Sequence, residues 1–437
     1  MVAQAPTPVT PWGIPQAGPF RWTNPATWPR EALALTGYWL ASRLVMIGMI
    51  RSGKAEQAIE VHRTYHQWYE ILVQGHFPTG DVTWQYPPGA ALAMLAPGML
   101  PFLSYLQAFV LLMLVTDAAT QALLVRVSLR RSGGLHRGRS TAGAWLWALA
   151  LPLLLGLPYG RYDLPVTALA MASVLLLPSR PKHGGVLAGI GAMVKVWPAL
   201  VVLGTPRGRG TRQAWTTLCL SGLALLLVLC TLFDGAFDFL GAQQGRGVEI
   251  ESLGGSALQV ARLFGWPGEV EQHYGSLEFL GPQVHAVATA SLALTGLAFG
   301  WLLLWRFKAH RWQPATPYDA ALTAVLLFTV TSRVISPQYL IWLIGLCAVC
   351  LSVRGSSQRP TALLVLLSTG VTTIDYPLFF DAQIAGGWQP AVVIVLRNGL
   401  LLAAALCAAG RLWRASVSPV AAVQPATQPL RGPIRAA

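Results

Sequence analysis

Runs of about 20 consecutive apolar residues recur from one end of this chain to the other, and no other feature limits its fold so strongly. Inside a bilayer every backbone N–H and C=O must be satisfied within the protein, so only helices and closed barrels can cross it. Runs of this length suit helices. Charged residues make up 11% of the 437 positions and hydrophobic ones 54%. That charge content is less than half of the roughly 25% usual in soluble domains. The sequence therefore predicts an all-α, polytopic integral membrane protein.

The net charge of +14 raises the question of a nucleic-acid partner. The Lys and Arg residues argue against one, because they sit in short clusters on alternate loops between apolar runs. The five cysteines, Cys219, Cys230, Cys347, Cys350 and Cys407, all lie inside apolar runs. Cys347 and Cys350 form a C-x-x-C with no second pair or histidine beside it, so neither metal nor redox chemistry is expected. Residues 1–30 are Pro-rich and polar and lack the short apolar core of a signal peptide. They read as a flexible tail, as do residues 414–437, with a multi-span domain over 31–413 between them.

About ten full spans are expected within that domain. The first covers Ala32–Ile50 and opens into a polar loop over 51–104, in which juxtamembrane helices are predicted. Tyr105–Val127 is a clear span, and a polar hinge, Tyr159-Gly160-Arg161-Tyr162-Asp163, separates two shorter ones. Gly184–Gly204 has basic clusters at both ends and a Lys195-Val196-Trp197-Pro198 break in its middle. A broken helical hairpin that returns to its own side accommodates both clusters. A second long polar loop, 234–282, precedes five further spans. With both termini cytoplasmic, 21 Lys/Arg fall on cytoplasmic segments and 7 outside, with Arg43, Lys195 and Arg397 inside spans. This obeys the positive-inside rule. Of the 17 acids, 14 fall outside, so chemistry is expected on the outer face.

Four outer-face clusters carry residue types suited to such chemistry. Asp81-Val82-Thr83-Trp84-Gln85-Tyr86-Pro87-Pro88-Gly89 closes the first loop on a stiff Pro-Pro step. Upstream lie Glu60 and His66. Glu60 and Asp81 are both candidates for a general base acting on a hydroxyl; otherwise they are solvated loop acids. In the hinge, Arg161 suits a phosphate and Asp163 a sugar hydroxyl, or the pair only marks a span boundary. Lys195 interrupts an apolar segment, which is costly and points to a functional partner, unless it snorkels to the interface. The last cluster, Arg333 to Tyr339, combines a cation, a proline and Gln338. Arg246 adds a further cation in the long loop, beside Glu249 and Glu251. Several cations beside aromatics suit an anionic phosphate on a lipid tail. There is no nucleotide-binding loop, and His62 and His66 have no third partner with metal-ligand spacing.

Six segments, in order, carry a family resemblance: Trp68–Gly75, Asp81–Gly89, Gly160–Leu164, Gly189–Pro198, Arg246–Leu253 and Ser332–Trp342. With these the chain resembles the GT-C glycosyltransferases, specifically glycosyltransferase family 87, the mannosyltransferase-like proteins of actinobacteria. The resemblance implies a GT-C-like fold and an inverting hexosyltransferase, mannose being the expected sugar. The donor would be a polyprenyl-phosphate sugar, with no other cofactor, and the acceptor a lipid or glycan. The reaction would take place on the extracytoplasmic face of a bacterial plasma membrane. The family's catalytic Asp falls near Val61 here, where the adjacent acid is Glu60. The resemblance also implies donor-phosphate roles for Lys195, Arg161 and Arg333; Arg246 is a further phosphate candidate from its residue type, and Asp163, Trp84, Tyr86, Gln338, Tyr339 and His66 are the candidates about the sugar and acceptor. The rival expectations are a secondary transporter or flippase of a lipid-linked or anionic substrate, suggested by the break at Lys195, and a non-catalytic family member, suggested by the missing Asp.

Overall fold

The computed structural model describes residues 30–51, 59–129, 140–242, 246–353 and 355–418. The predicted tails, residues 52–58 of the first loop and the basic run 130–139 lie outside the described residues, apart from Arg30 and 414–418. Helix α1 (Arg30–Arg51) precedes a π-helical turn (Val61–Tyr65) that runs into α2 (His66–Val73). Next come α3 (Ala90–Leu95), α4 (Tyr105–Leu129), α5 (Ala142–Ala150), α6 (Leu157–Gly160), α7 (Asp163–Leu176) and α8 (Pro181–Val194). A 3-10 segment, Trp197–Gly204, leads to α9 (Arg209–Leu232) and α10 (Phe239–Ala242). The second long loop holds β1 (Val248–Glu249), α11 (Leu253–Leu263), β2 (Glu269–His273) and β3 (Ser276–Leu280). Helices α12 (Val284–Lys308), α13 (Thr316–Thr331), α14 (Tyr339–Leu351), α15 (Arg359–Thr373), α16 (Phe380–Ile384) and α17 (Trp388–Ser416) complete the fold.

The described residues agree with the expected all-α polytopic membrane protein. Six described helices are long and apolar enough to cross a membrane: α1, α4, α9, α12, α15 with its extension to Leu378, and α17. The expected ten counted shorter apolar helices such as α7 and α14 as full spans. At 1.5 Å per residue the 14-residue α7 is about 21 Å long, short of a hydrocarbon core of about 30 Å. The second loop adds a small three-stranded antiparallel sheet to this helical fold, in the order β1-β3-β2. Glu249 pairs with Glu278, and the β2–β3 hairpin turns on Tyr274 and Gly275, both at positive φ. Two successive residues in that region match a type I′ turn, for which glycine at the second position is favoured.

The break at Lys195 has a local cause. Pro198 lacks an N–H, and in a continuous helix its ring would clash with the carbonyl of Val194, the residue at which α8 stops. Lys195 takes an extended conformation, and Trp197–Gly204 packs back on α8. Helices α8 and α9 touch backbone to backbone: a Cβ at Gly185 would meet Ala214 O at 2.2 Å and one at Gly189 would meet Leu218 O at 2.4 Å. Small residues permit such approaches between helices in lipid. The Asp81–Gly89 loop is pressed onto the tip of the hairpin in the same way, with Gly89 against Met193.

The main core joins α1, α4, α5, α7, α8 and α14 around Trp147, Phe109 and Leu346. Within it Arg43 (1% exposed) and Asp117 (0%) form an ion pair at 2.8 Å. Asp117 also accepts from Trp147 Nε1 (2.7 Å), Tyr159 Oη (2.7 Å) and Trp39 Nε1 (3.3 Å). Arg43 Nη1 donates to Ala148 O at 2.8 Å. This network clasps α1, α4, α5 and α6 together.

Candidate active site

The hinge expected between two short spans is the turn from α6 to α7. Arg161 is extended there, which ends α6, and Asp163 starts α7, where the helix dipole favours a carboxylate. This turn faces the tip of the broken hairpin. Lys195 Nζ lies 2.7 Å from Asp163 Oδ1, and Trp342 Nε1 of α14 donates to the same oxygen at 2.6 Å. Lys195 is 9% exposed and Asp163 1%. Asp163 Oδ2 is buried and has no hydrogen-bond partner. Aromatic rings surround the ammonium, with Tyr162 at 4.7 Å, Trp342 at 5.4 Å, Tyr86 at 5.7 Å and Tyr339 at 5.9 Å to the ring centres. Tyr339 stacks on Trp342 at 4.0 Å and Trp342 on Trp197 at 5.1 Å, forming one aromatic platform. Ring faces and a carboxylate together make a buried ammonium tolerable in so apolar a segment.

Glu60, the acid beside the position where the family places its Asp, directly contacts Arg161, whose Nη1 also reaches Tyr65 Oη at 3.4 Å. Tyr65 packs edge-on against Tyr162, which joins this pair to the aromatic cluster. Asp81 has a different setting. Its Oδ1 accepts from the N–H and hydroxyl of Thr83 (2.8 and 2.6 Å), and its Oδ2 accepts from Trp68 Nε1 at 2.8 Å. Both oxygens thus staple the loop. Trp84 is buried against Trp68 and Phe77 as part of that loop's core. His66 makes its ring contacts with His62, Tyr69 and Tyr105, and lies near Glu70.

The second long loop closes the site from the side of the sheet. Arg246 is paired with Glu278 (3.3 Å) and donates to Ser276 Oγ (2.9 Å). Arg333 donates to Arg246 O at 2.8 Å, and Glu249 N donates to Arg333 O at 3.0 Å, which joins the loop before α14 to β1. Glu249, singled out in sequence only as a neighbour of Arg246, takes Ser336 Oγ at 2.9 Å. Arg246 and Glu249 both lie within electrostatic reach of Tyr86 and Tyr339. Burial holds Glu249 above the usual carboxylate range, against the opposite pull of Arg246 and Ser336. Gln338 stands at the N-terminal boundary of α14, makes no capping bond with its side chain and is half-buried.

The structure therefore brings Arg161, Asp163, Lys195, Tyr86, Tyr339 and Glu60 to one place and sets Arg246 and Arg333 in its wall. It leaves Trp84, Asp81 and His66 in the loop scaffold. Sequence reading missed Trp342, three residues after Tyr339 and so on the same helix face. It named Glu251 and Arg397 separately but missed Asn398 and the buried trio they form, in which Arg397 and Asn398 both donate to Glu251 O (2.8 and 3.0 Å). That contact joins distant parts of the chain, and no local pattern announces it.

This constellation can hold an anion against fixed cations, stack a ring on aromatic faces and offer a carboxylate to a hydroxyl. No curated protein and no solved structure matches the chain. The family model for glycosyltransferase family 87 matches residues 84–337, more than half of the sequence, and takes in Arg161, Lys195, Arg246 and Arg333. By that match the chain belongs to glycosyltransferase family 87.

Proposed function

We propose that this glycosyltransferase moves a hexose, mannose in our reading, from a polyprenyl-phosphate carrier to a hydroxyl of a lipid or glycan acceptor. The transfer inverts the anomeric centre and takes place on the extracytoplasmic face of the plasma membrane, with both termini in the cytoplasm. The observation that carries this reading is the meeting of Arg161 and Lys195 with an aromatic platform at a break in the apolar bundle. Glu60 takes the proton of the acceptor hydroxyl, and the acceptor oxygen bonds to the anomeric carbon. The bond from that carbon to the phosphate oxygen breaks, and its electron pair leaves with the lipid phosphate. Charge growing on that phosphate is met by Lys195 and Arg161, whose orientation is set in advance by Asp163 and Glu60. Because both cations are already placed, little reorganisation is required at the moment of transfer.

A flippase or transporter of a lipid-linked sugar is the second reading, favoured by the discontinuous helix at Lys195. Incubating purified protein with radiolabelled polyprenyl-phosphate mannose and a host lipid extract separates the two. Label in a new lipid, abolished by Glu60→Gln and retained by Asp81→Asn, is the expected result. Saturable donor binding without transfer, together with carrier movement across liposomes, would replace the enzyme by the transporter.

A further inference from the structure

Most carboxylates around the site are answered by a cation. Glu60 contacts Arg161, Asp163 pairs with Lys195, and Glu278 pairs with Arg246. Glu251 has Arg397 at 3.5 Å. Glu249 differs. It is 4% exposed, lies within salt-bridge distance of no cation among the described residues, holds the Ser336 hydroxyl on Oε1, and has the Ile335 backbone N–H and the more distant Arg246 as its other favourable neighbours. Its Oε2 is buried with no hydrogen-bond partner. Burying a carboxylate without a full set of partners is costly, and a fold retains such a group where something else completes it.

The position of Glu249 indicates what that something is. Its backbone is fixed on both sides, by the β1–β3 pairing and by the bond from its N–H to Arg333 O. Ser336 fixes the side chain from the loop that leads into the Tyr339–Trp342 platform. Tyr339, Tyr86 and Arg161 all feel its charge. A pre-set carboxyl oxygen held by the loop that leads into an aromatic platform is suited to a pyranose, whose C–H face stacks while a ring hydroxyl meets the oxygen. A phosphate would be repelled by the same group.

We propose that Glu249, oriented by Ser336, is a specificity-determining residue that hydrogen-bonds a hydroxyl of the hexose carried by the lipid phosphate. This rests on the reading of the donor given above. Glu249 reads the sugar, whereas Arg161 and Lys195 hold the phosphate.

The test is equilibrium binding, followed by intrinsic tryptophan fluorescence in detergent. The ligands are polyprenyl-phosphate mannose, polyprenyl-phosphate glucose and sugarless polyprenyl phosphate. Wild type is expected to prefer one sugar-bearing carrier over the sugarless one. Glu249→Ala should lose about 10–100-fold of that preference, as expected when one hydrogen bond between a carboxylate and a hydroxyl is removed, and keep its affinity for the sugarless carrier. Ser336→Ala should move the same way by a smaller factor, and Glu249→Gln, which keeps the shape, should fall between wild type and Glu249→Ala. Should Glu249→Ala fail to fold, Ser336→Ala and Glu249→Gln carry the test. An unchanged preference, or an equal loss of affinity for all three carriers, overturns the assignment. Wild type binding all three equally overturns it too. If the preference is present and depends on Glu249 but no sugar is ever transferred, the inference stands and the proposed transferase activity falls.

Discussion

Two buried ion pairs in this molecule are built to opposite standards. At Arg43–Asp117 every carboxylate oxygen is engaged, by the guanidinium, two indoles and a phenol, so the charges are fully compensated. At Lys195–Asp163 one carboxylate oxygen takes both the ammonium and an indole while the other has nothing, and the ammonium is otherwise surrounded by ring faces. Glu249 across the site is also half-satisfied. Complete satisfaction marks a fixed joint, and buried groups with spare capacity mark a place where a ligand finishes the network. The comparison predicts that the clasp matters to stability first and the site to activity first.

The largest effect is expected at the clasp. Arg43→Ala leaves Asp117 buried without its counter-charge, and breaking a buried pair in this way costs about 3–5 kcal/mol. Thermal unfolding in detergent should show a large fall in Tm or no folded protein at all. A Tm within a degree of wild type would show that the clasp is not a structural joint.

Next comes Lys195→Met, which keeps the length and apolar stem of the side chain. Turnover should fall about 10²–10³-fold, the range seen when one pre-set stabilising group is removed from a reaction centre. Its Tm should fall by less than that of Arg43→Ala, because Asp163 retains the Trp342 indole as a partner. Radiolabel transfer and thermal unfolding on the same preparation decide the point. A Tm loss equal to that of Arg43→Ala with turnover intact would erase the distinction between the two pairs.

A smaller effect is expected in the loop scaffold. Trp68→Phe removes the indole donor to Asp81 Oδ2, a loss of about 1–2 kcal/mol with turnover within a few-fold of wild type. If instead turnover collapses while Tm holds, Asp81 does more than staple the loop.

How far these features could be read in the sequence follows from the range of the forces involved. The break at Lys195 was legible because Pro198 acts on its own helix. The first-loop helices and the polar hinge at Arg161 were legible from local changes in polarity. The sheet was not, because β2 reads Glu-Val-Glu-Gln-His and is mostly exposed, without the apolar alternation that marks a strand with one buried face. Apolar composition alone did not distinguish long spans from short buried helices, since α7 and α14 are short and largely covered by neighbouring protein. Arg161, Lys195 and Asp163 stood out as charges in apolar surroundings, but that Asp163 answers Lys195 is set by contacts 32 residues apart. The different fates of Glu60 and Asp81 depended on partners no spacing reveals, Arg161 for one and Trp68 with Thr83 for the other.

The finest test of the comparison uses pH. Burial raises the Glu249 carboxyl above the range it has in an unfolded chain, so between those two values the folded protein holds a proton that the unfolded chain has released. Stability then falls as pH rises through that window and levels off once the folded carboxyl is ionised. An ion-paired carboxylate with a depressed pKa would give the opposite slope, with stability gained as pH rises. Other buried acids contribute slopes of their own, so the informative quantity is the difference between wild type and Glu249→Gln. The amide cannot ionise, so that difference, read as the Tm of each at a series of pH values, should favour wild type less and less as pH rises through the window. A difference that grows in favour of wild type with rising pH would mean that a cation answers Glu249 in solution. Its open oxygen would then no longer set the site apart from the clasp.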